Sequence, residues 1–274
     1  GSLYFFVNDN SNIYESSTLA TVAIGLIPII WWFMNHGRIF PPDWRVKLFG
    51  GKAAPSYHNA KLIIKLANDV ARAVNHDPAV QGLLKLQFVP NYNVSMAEMM
   101  IPAADLSEQI STAGMEASGT GNMKFVMNGG LIVGTADGAN IEIAEEIGEE
   151  NMFIFGLETD EIEGARAARG APAGPALDPR FAAAIDQIRA GNFGWADYFS
   201  PLCDSISPSQ DFYCVSDDFA SYIDAQDRVD KAYKDEALWT KMSILSCAGS
   251  SKFSSDRTIR EYAEEIWGVK PITR

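Results

Sequence analysis

Hydrophobic and polar positions follow two different patterns along the middle of the chain. Short, nearly continuous apolar runs predict strands, and apolar positions at helical spacing predict helices between them. The predicted strands cover residues 45–49, 83–89, 131–133 and 152–155, and the predicted helices cover residues 57–74 and 139–147. Strands that alternate with helices are typical of a parallel sheet with crossover helices. The pattern therefore predicts an α/β fold with a Rossmann-like parallel sheet and flanking helices.

The strand signal fades after residue 156. Residues 170–179 are rich in Ala, Pro and Gly and predict a surface loop. Helical periodicity then predicts helices over residues 181–188, 219–233, 238–246 and 256–266. Since ligands of parallel sheets bind at the carboxyl ends of the strands, we expect a functional site there.

The beginning of the chain has a different pattern. Residues 19–34 are nearly all apolar, and no charged residue lies between Glu15 and Arg38. The run is shorter than the roughly 20 apolar residues of a membrane span, and Pro28 interrupts it. Residues 1–15 contain no lysine or arginine, which argues against a secretory signal.

Composition is typical of a globular protein with a sizeable core. The chain has 274 residues, 47% of them hydrophobic, enough for one large domain or two small ones. Its net charge of -13 argues against nucleic acid and anionic membranes as partners. The three cysteines have no metal-binding spacing, which favours reduced thiols in the cytoplasm or a plastid. The three histidines are scattered, so we predict no metal site.

The most informative segment is the small-residue turn before Lys124. Gly119 and Gly121 allow positive φ, and Ser118 or Thr120 can cap a helix over residues 122–128. Amides at the start of that helix attract an anion.

Lys124 would lie in the first turn of this helix, where the helix dipole disfavours a positively charged amine. A phosphate cradle beside a reactive amine fits pyridoxal phosphate, whose aldehyde attaches to a lysine. The segment matches neither the Walker spacing nor a complete GxGxxG pattern. A simple strand-to-helix turn with a solvated lysine therefore remains the alternative.

Long segments in a fixed order identify a family resemblance. They are Gly50–Pro55, Tyr57–His58, Asn91–Ser95, Ala97–Glu98, Ile101–Ser107, Gln109–Phe125, Gly134–Thr135, Asp137–Asn140, Lys252–Ile259 and Tyr262–Ala263. Residues 50–271 resemble the C-terminal part of the α-glucan phosphorylases, the glycogen, starch and maltodextrin phosphorylase family. The resemblance implies the C-terminal domain of a two-domain GT-B type glycosyltransferase.

The resemblance also implies a chemistry. Such enzymes convert α-1,4-glucan and inorganic phosphate into glucose 1-phosphate and a shortened glucan, with the phosphate of pyridoxal 5'-phosphate exchanging a proton. Lys124 would be the catalytic lysine that carries the cofactor. The other implied cofactor contacts are Tyr92, Asn93, Thr120 and Gly121, and the implied contacts to sugar hydroxyls are Glu116, Ala117, Ser118 and Gly119.

Structural alternatives exist for several of these residues. Tyr92 could serve core packing, Asn93 an Asx turn and Glu116 a capping role. Asn93 also departs from the animal members, which have arginine at this position. Asp105 and Glu108 suggest a glycosidic carboxylate pair, but the family does not use them so, and we predict turn and helix-start roles for them.

The chain is much shorter than a complete phosphorylase. The N-terminal domain and the basic residues that grip substrate phosphate have no counterpart here, and none of Arg38, Arg45 and Lys47 matches a family motif. We therefore keep two hypotheses, an α-glucan phosphorylase that is a homodimer in its full-length form, or a non-catalytic remnant that binds the cofactor at most. A nucleotide-sugar transferase is a third, weaker idea that would not need Lys124.

Residues 45–274 are predicted as the cofactor-binding domain, incomplete on its N-terminal side, and residues 1–44 as an apolar segment outside the resemblance. Four explanations of residues 1–44 remain open: a divergent or mispredicted exon, an unrelated sequence fused to the rest, an apolar element that substitutes for missing sheet, or a membrane anchor.

Overall fold

The computed structural model describes residues 2–7, 25–31, 45–80, 83–169, 176–270 and 272, and only the backbone of residues 2–7. Six parallel strands form one sheet in the order β3-β2-β1-β4-β5-β6. The strands are β1 Ser2–Val7, β2 Arg45–Gly50, β3 Leu84–Val89, β4 Leu106–Gln109, β5 Leu131–Thr135 and β6 Phe153–Phe155. Strand order reverses between β1 and β4, and such a switch point opens a crevice at the carboxyl ends of the strands.

Helices connect the strands and continue after the sheet. They are α1 at residues 25–31, α2 His58–His76, α3 Val94–Met100, α4 Gly121–Met127, α5 Ala139–Ile147, α6 Ile162–Arg169, α7 Pro179–Arg189, α8 Ala196–Ser205, α9 Val215–Lys234, α10 Glu236–Gly249 and α11 Ser255–Glu261. Short 3₁₀ turns occur at Ile101–Ala103, Glu149–Asn151 and Ser250–Phe253, and a π-helical turn follows α11 at Tyr262–Trp267.

The α/β class and the parallel sheet are confirmed. The four predicted strands lie within a residue or two of β2, β3, β5 and β6, and the helix predicted over residues 139–147 is α5. Sequence patterns missed β1, β4, α1, α3, α6 and α8. Part of the loop predicted over residues 170–179 lies outside the described residues, and α7 begins at Pro179.

The described part of the apolar run near the N-terminus, helix α1, packs into the main core. In α1, Leu26, Ile27, Ile29 and Ile30 are at most 2% exposed and join the cluster formed by the buried faces of α2, α7 and α9. No helix among the described residues is long and apolar enough to cross a bilayer. These side chains therefore stabilise the fold through burial, by about 1.5–3 kcal/mol each.

A buried polar network lies on one face of the sheet. Lys47 of β2 forms an ion pair with Glu108 of β4, and both side chains are fully buried. Tyr222 donates to the same carboxylate at 2.7 Å, and Gln226 donates to it at 3.3 Å. Burial lowers the pKa of Lys47 to about 8, although the Glu108 carboxylate opposes that shift.

This network corrects the helix-start role predicted for Glu108, which lies in a strand. A strand was missed there because Leu106–Gln109 is mostly polar, and its buried polar groups are satisfied by residues distant in sequence.

Candidate functional site

The loop after β4 crosses the carboxyl edge of the sheet and enters α4. Gly119 has a φ of 77°, as expected of a position that favours glycine, whereas Gly121 is the first helical residue. Gly121 thus does not use the positive φ that a glycine allows. Thr120 is the N-cap of α4, but its hydroxyl makes no capping hydrogen bond to the helix as described.

The start of α4 presents backbone amides without acceptors inside the helix, as every helix start does. The amide of Met123 donates to the side chain of Asn122 at 2.9 Å. Lys124 donates its amide to the carbonyl of Thr120 at 3.3 Å, which begins the helical hydrogen bonding. The amides of Gly121 and Asn122 precede that point, so they are the donors that an anion at this helix start would meet.

Lys124 lies on the outer side of α4. Its side chain is exposed, whereas Phe125 and Val126, the next two residues, are fully buried. Helical geometry thus directs Phe125 and Val126 into the core and Lys124 toward the surface, at the carboxyl ends of the strands. A lysine in this position is accessible to a ligand that approaches the start of α4.

Asp137 holds the loop before α4 in shape. This buried carboxylate, directly after β5, accepts hydrogen bonds from the hydroxyl of Ser111 at 2.6 Å and from the amides of Gly114 at 2.9 Å, Glu116 at 3.0 Å and Gly138 at 3.0 Å. Hydrogen bonds to a carboxylate are stronger than those between neutral groups. Asp137 therefore orders the segment that leads into the small-residue turn.

A second polar connection joins the starts of α4 and α5. Asn122 donates to the side chain of Asn140 at 2.9 Å, and Asn140 donates to the carbonyls of Gln109 and Thr135 at 3.0 Å each. A Cβ on Gly134 would lie 2.7 Å from Asn140 Nδ2, so only glycine leaves room for this contact. The two helices are thereby tied to the carboxyl ends of β4 and β5.

The residues predicted to meet sugar hydroxyls form the turn itself. Glu116 is half-buried and Ala117 is exposed. The carbonyl of Ser118 accepts the amide of Ala139 at 2.7 Å, and the Ser118 hydroxyl donates to the carbonyl of Gly119 at 3.0 Å. The turn is therefore anchored through its backbone, which leaves its outer surface to side chains and ligands.

Tyr92 and Asn93 lie on the neighbouring loop after β3. Tyr92 is buried in a cluster that includes Phe125, and a Cβ on Gly50 would lie 2.9 Å from its ring. Asn93 caps α3, because its side chain accepts the amide of Met96 at 3.2 Å. Packing and capping thus account for both residues in the described structure, while the core cluster that Tyr92 shares with Phe125 connects this loop to α4.

Two groups of candidate residues therefore face the same edge of the sheet. Lys124 and residues 116–121 belong to α4 and its preceding turn, and Tyr92 and Asn93 belong to the loop after β3. Sequence reasoning missed the supporting roles of Asp137, Asn122 and Asn140. The available signal was the polar Asp-Gly-Ala-Asn segment directly after an apolar strand.

Buried acidic groups support the far end of this edge, after β6. Asp218 accepts the amide of Leu157 at 2.8 Å, and burial raises the pKa of its carboxyl to about 7. Asp211 caps α9 through the amides of Val215 and Ser216, and burial raises the pKa of Asp211 as well. These groups fix the loop before α9 and lie apart from the α4 turn in the hydrogen-bond network.

The chemistry of other side chains adds no second site. All three cysteines are free thiols, and Cys203 and Cys214 are buried. Within the described part of the chain, no three His, Cys, Asp or Glu side chains are grouped so that they could hold a metal ion.

Two family profiles match the sequence. The one described as carbohydrate phosphorylase matches residues 34–269. The other, a family of unknown function named DUF5935, matches residues 1–38.

The curated relatives carry phosphorylase names. The chain is 55% identical to the alpha-glucan phosphorylase H isozyme of Triticum aestivum over 82% of this chain and 27% of that protein. It is 53% identical to the chloroplastic/amyloplastic alpha-1,4 glucan phosphorylase L-1 isozyme of Solanum tuberosum, over 83% of this chain and 24% of that protein. It is also 53% identical to glycogen phosphorylase 2 of Dictyostelium discoideum, over 88% and 24% respectively. The chain thus spans about a quarter of the length of these relatives.

Proposed function

Because the chain belongs to the carbohydrate phosphorylase family, we propose that it is the cofactor-binding part of an α-1,4-glucan phosphorylase. Its cofactor is pyridoxal 5'-phosphate, held by Lys124. Its substrates are α-1,4-glucan and inorganic phosphate, and its product is glucose 1-phosphate.

One observation of the structure supports this proposal most directly. The exposed Lys124 lies at the start of a helix on the carboxyl edge of a parallel sheet, directly after a turn with a left-handed glycine. The residues present therefore fit a ligand that has both an anionic phosphate and an aldehyde.

Each part of the site has a role in this proposal. The backbone amides near Thr120 and Gly121 bind the cofactor phosphate, and Lys124 binds the aldehyde end. Tyr92 and Asn93 border the cofactor from the loop after β3. Residues 116–119 face the sugar, with Glu116 as the charged hydrogen-bond acceptor for its hydroxyls.

The bound cofactor supplies a phosphate group whose second pKa, near 6, suits proton exchange close to neutral pH. The chain's own contribution is to position that phosphate on fixed amides and to hold the turn through Asp137. Positioning of this kind is effective because the donors need no rearrangement when charge develops.

The proposal extends to the wider assembly. The α/β domain forms half of a two-domain GT-B type glycosyltransferase, and the full-length form is a homodimer. The relatives include isozymes named cytosolic and chloroplastic/amyloplastic, which supports a cytoplasmic or plastid location. The negative net charge of -13 disfavours nucleic acid and anionic membranes as partners.

Cofactor binding tests the first part of the proposal. The purified chain is incubated with pyridoxal 5'-phosphate, freed of excess cofactor on a desalting column and measured for bound cofactor by absorbance. We expect retention by the unmodified chain and by Lys85→Arg, a control on an exposed strand position. Retention by Lys124→Arg equal to that of the control would contradict the proposal.

Turnover separates phosphorylase activity from cofactor binding alone. The loaded chain is given glycogen and phosphate, and release of glucose 1-phosphate is measured. We expect little or no turnover, because the chain spans only about a quarter of the length of its relatives. A rate comparable to that of a full-length phosphorylase would refute this expectation and would exclude the non-catalytic alternative.

A further inference from the structure

The central strand of the sheet comes from outside the phosphorylase match. β1 covers Ser2–Val7 and α1 covers residues 25–31, whereas the carbohydrate phosphorylase profile begins at residue 34. Both elements lie in the part of the chain that matches the family of unknown function. A segment that is foreign to the family in sequence therefore occupies the middle of the fold.

The backbone pairing of β1 is that of a central strand. All six of its residues pair with β2, from Ser2 opposite Arg45 to Val7 opposite Gly50. On its other side, Tyr4 and Phe5 pair with Leu106 and Ser107 of β4. Without β1, both β2 and β4 would present unpaired edges toward each other.

A contact between side chains passes across β1. Lys47 belongs to β2 and Glu108 belongs to β4, and these strands are two strand spacings apart, about 10 Å. Long side chains can bridge that distance only over the backbone of the strand between them. Tyr222 and Gln226 of α9 donate to the same carboxylate, so the network connects the two strands on either side of β1.

α1 provides a second attachment for the same segment. Its four large aliphatic side chains are at most 2% exposed and belong to the main core cluster, together with residues of α2 and α9. These four side chains lie in the interior of the protein and are therefore not available to a lipid bilayer.

We propose that β1 and α1 form a β–α unit of this domain, in which β1 fills the sheet position that the phosphorylase-matching residues leave open between β2 and β4. The sequence β1–α1–β2 then has the order of a parallel βαβ unit with its crossover helix. This chain thus supplies the strand between β2 and β4 itself. This inference is independent of the proposed function.

Engineered disulfides test the position of β1. In Phe5→Cys/Ser107→Cys, the new cysteines lie at paired positions of β1 and β4, within reach of a disulfide. A matched control, Ser107→Cys/Ile132→Cys, joins β4 to β5 inside the phosphorylase match. A second control, Phe5→Cys/Ile132→Cys, spans two strand spacings and is beyond disulfide reach.

We expect the first two pairs to cross-link under mild oxidation of the native protein and the third pair not to do so, as read by peptide mass mapping. Mapping also separates these links from any that involve the three natural cysteines. Cross-linking of the β4–β5 pair without cross-linking of the β1–β4 pair would overturn the proposal.

Hydrogen exchange of the unmodified chain provides a test that needs no variant. We expect slow exchange at residues 2–7 and at residues 106–109, comparable to that at residues 131–135 of β5. If residues 2–7 exchange as fast as an unstructured peptide while residues 131–135 remain protected, β1 is not part of the sheet and the proposal fails.

Discussion

Replacement of Lys47 by methionine tests the buried network under the sheet. The change removes the cation but keeps a long side chain. Glu108 then stays in the interior with only Tyr222 and Gln226, among the described residues, as partners. Both charged side chains are fully buried, which means that water cannot replace the lost ammonium group. The loss is therefore that of an uncompensated buried charge.

The expected destabilisation is about 3–5 kcal/mol, the usual cost of removing one partner of a buried ion pair. With an m-value of about 3 kcal/mol per M of urea, the unfolding midpoint should fall by about 1–1.7 M. Urea melts at neutral pH, followed by far-UV circular dichroism, measure this shift.

Two further variants isolate the cause. Lys85→Met changes an exposed lysine of β3 and should stay within about 0.5 kcal/mol of the parent. Lys47→Met/Glu108→Leu removes both charges and should recover most of the lost stability, because apolar replacement of a whole buried pair is often neutral. A loss below about 1 kcal/mol in Lys47→Met, or no recovery in the double variant, would refute the reasoning.

Three other changes probe the site and its surroundings. Burial raises the pKa of Asp218 to about 7 from 3.8, so the native state retains a proton that the unfolded chain releases, and stability from this group falls as pH rises from about 4 to 7. Asp218→Asn should remove this dependence of stability on pH, which amounts to at most about 1.4 kcal/mol per pH unit, in urea melts between pH 4 and 7. An unchanged dependence would contradict the raised pKa. Asp137→Ala should lower the free energy of unfolding by about 3 kcal/mol and abolish cofactor retention, because it leaves three backbone amides without their acceptor. Normal retention would contradict the role given to this carboxylate. Gly138→Ala should destabilise the protein, because φ is 50° and a Cβ would lie 2.6 Å from the Ser118 carbonyl oxygen. Gly164→Ala, where a Cβ would meet open space, should instead stabilise the protein by about 0.5–1 kcal/mol. The reverse order of melting temperatures would be inconsistent with the structure.

The predictable parts of the fold are the elements whose burial shows in their own pattern of apolar residues. β5 is buried at all five positions, and its sequence is correspondingly a short apolar run. α2 has nine buried residues at helical spacing, which made its periodicity clear. In such elements, the residues of the element itself carry the signal.

The elements that were missed depend on distant partners. β4 contains Ser107, Glu108 and Gln109, which are polar, and the buried Glu108 is tolerated only because Lys47 and Tyr222 meet it. β1 was missed because its short run of five apolar residues, Leu3–Val7, gives no local sign that it pairs with strands more than 40 residues away.

The candidate site was predictable in part. The small residues before Lys124 placed the start of a helix within one residue of its observed position at Gly121. The capping role of Thr120 was not observed, and the support from Asp137 and Asn140 arises only when the ends of β4 and β5 meet. Spacing along the chain does not contain that information.

The most direct test of the account is reductive trapping of the cofactor on the unmodified chain. The protein is equilibrated with pyridoxal 5'-phosphate, reduced with borohydride and digested, and the modified peptides are identified by mass spectrometry. The account predicts one dominant adduct, on Lys124, at cofactor concentrations that leave exposed lysines such as Lys85 unmodified. An even distribution of adducts over surface lysines, or none on Lys124, would contradict it.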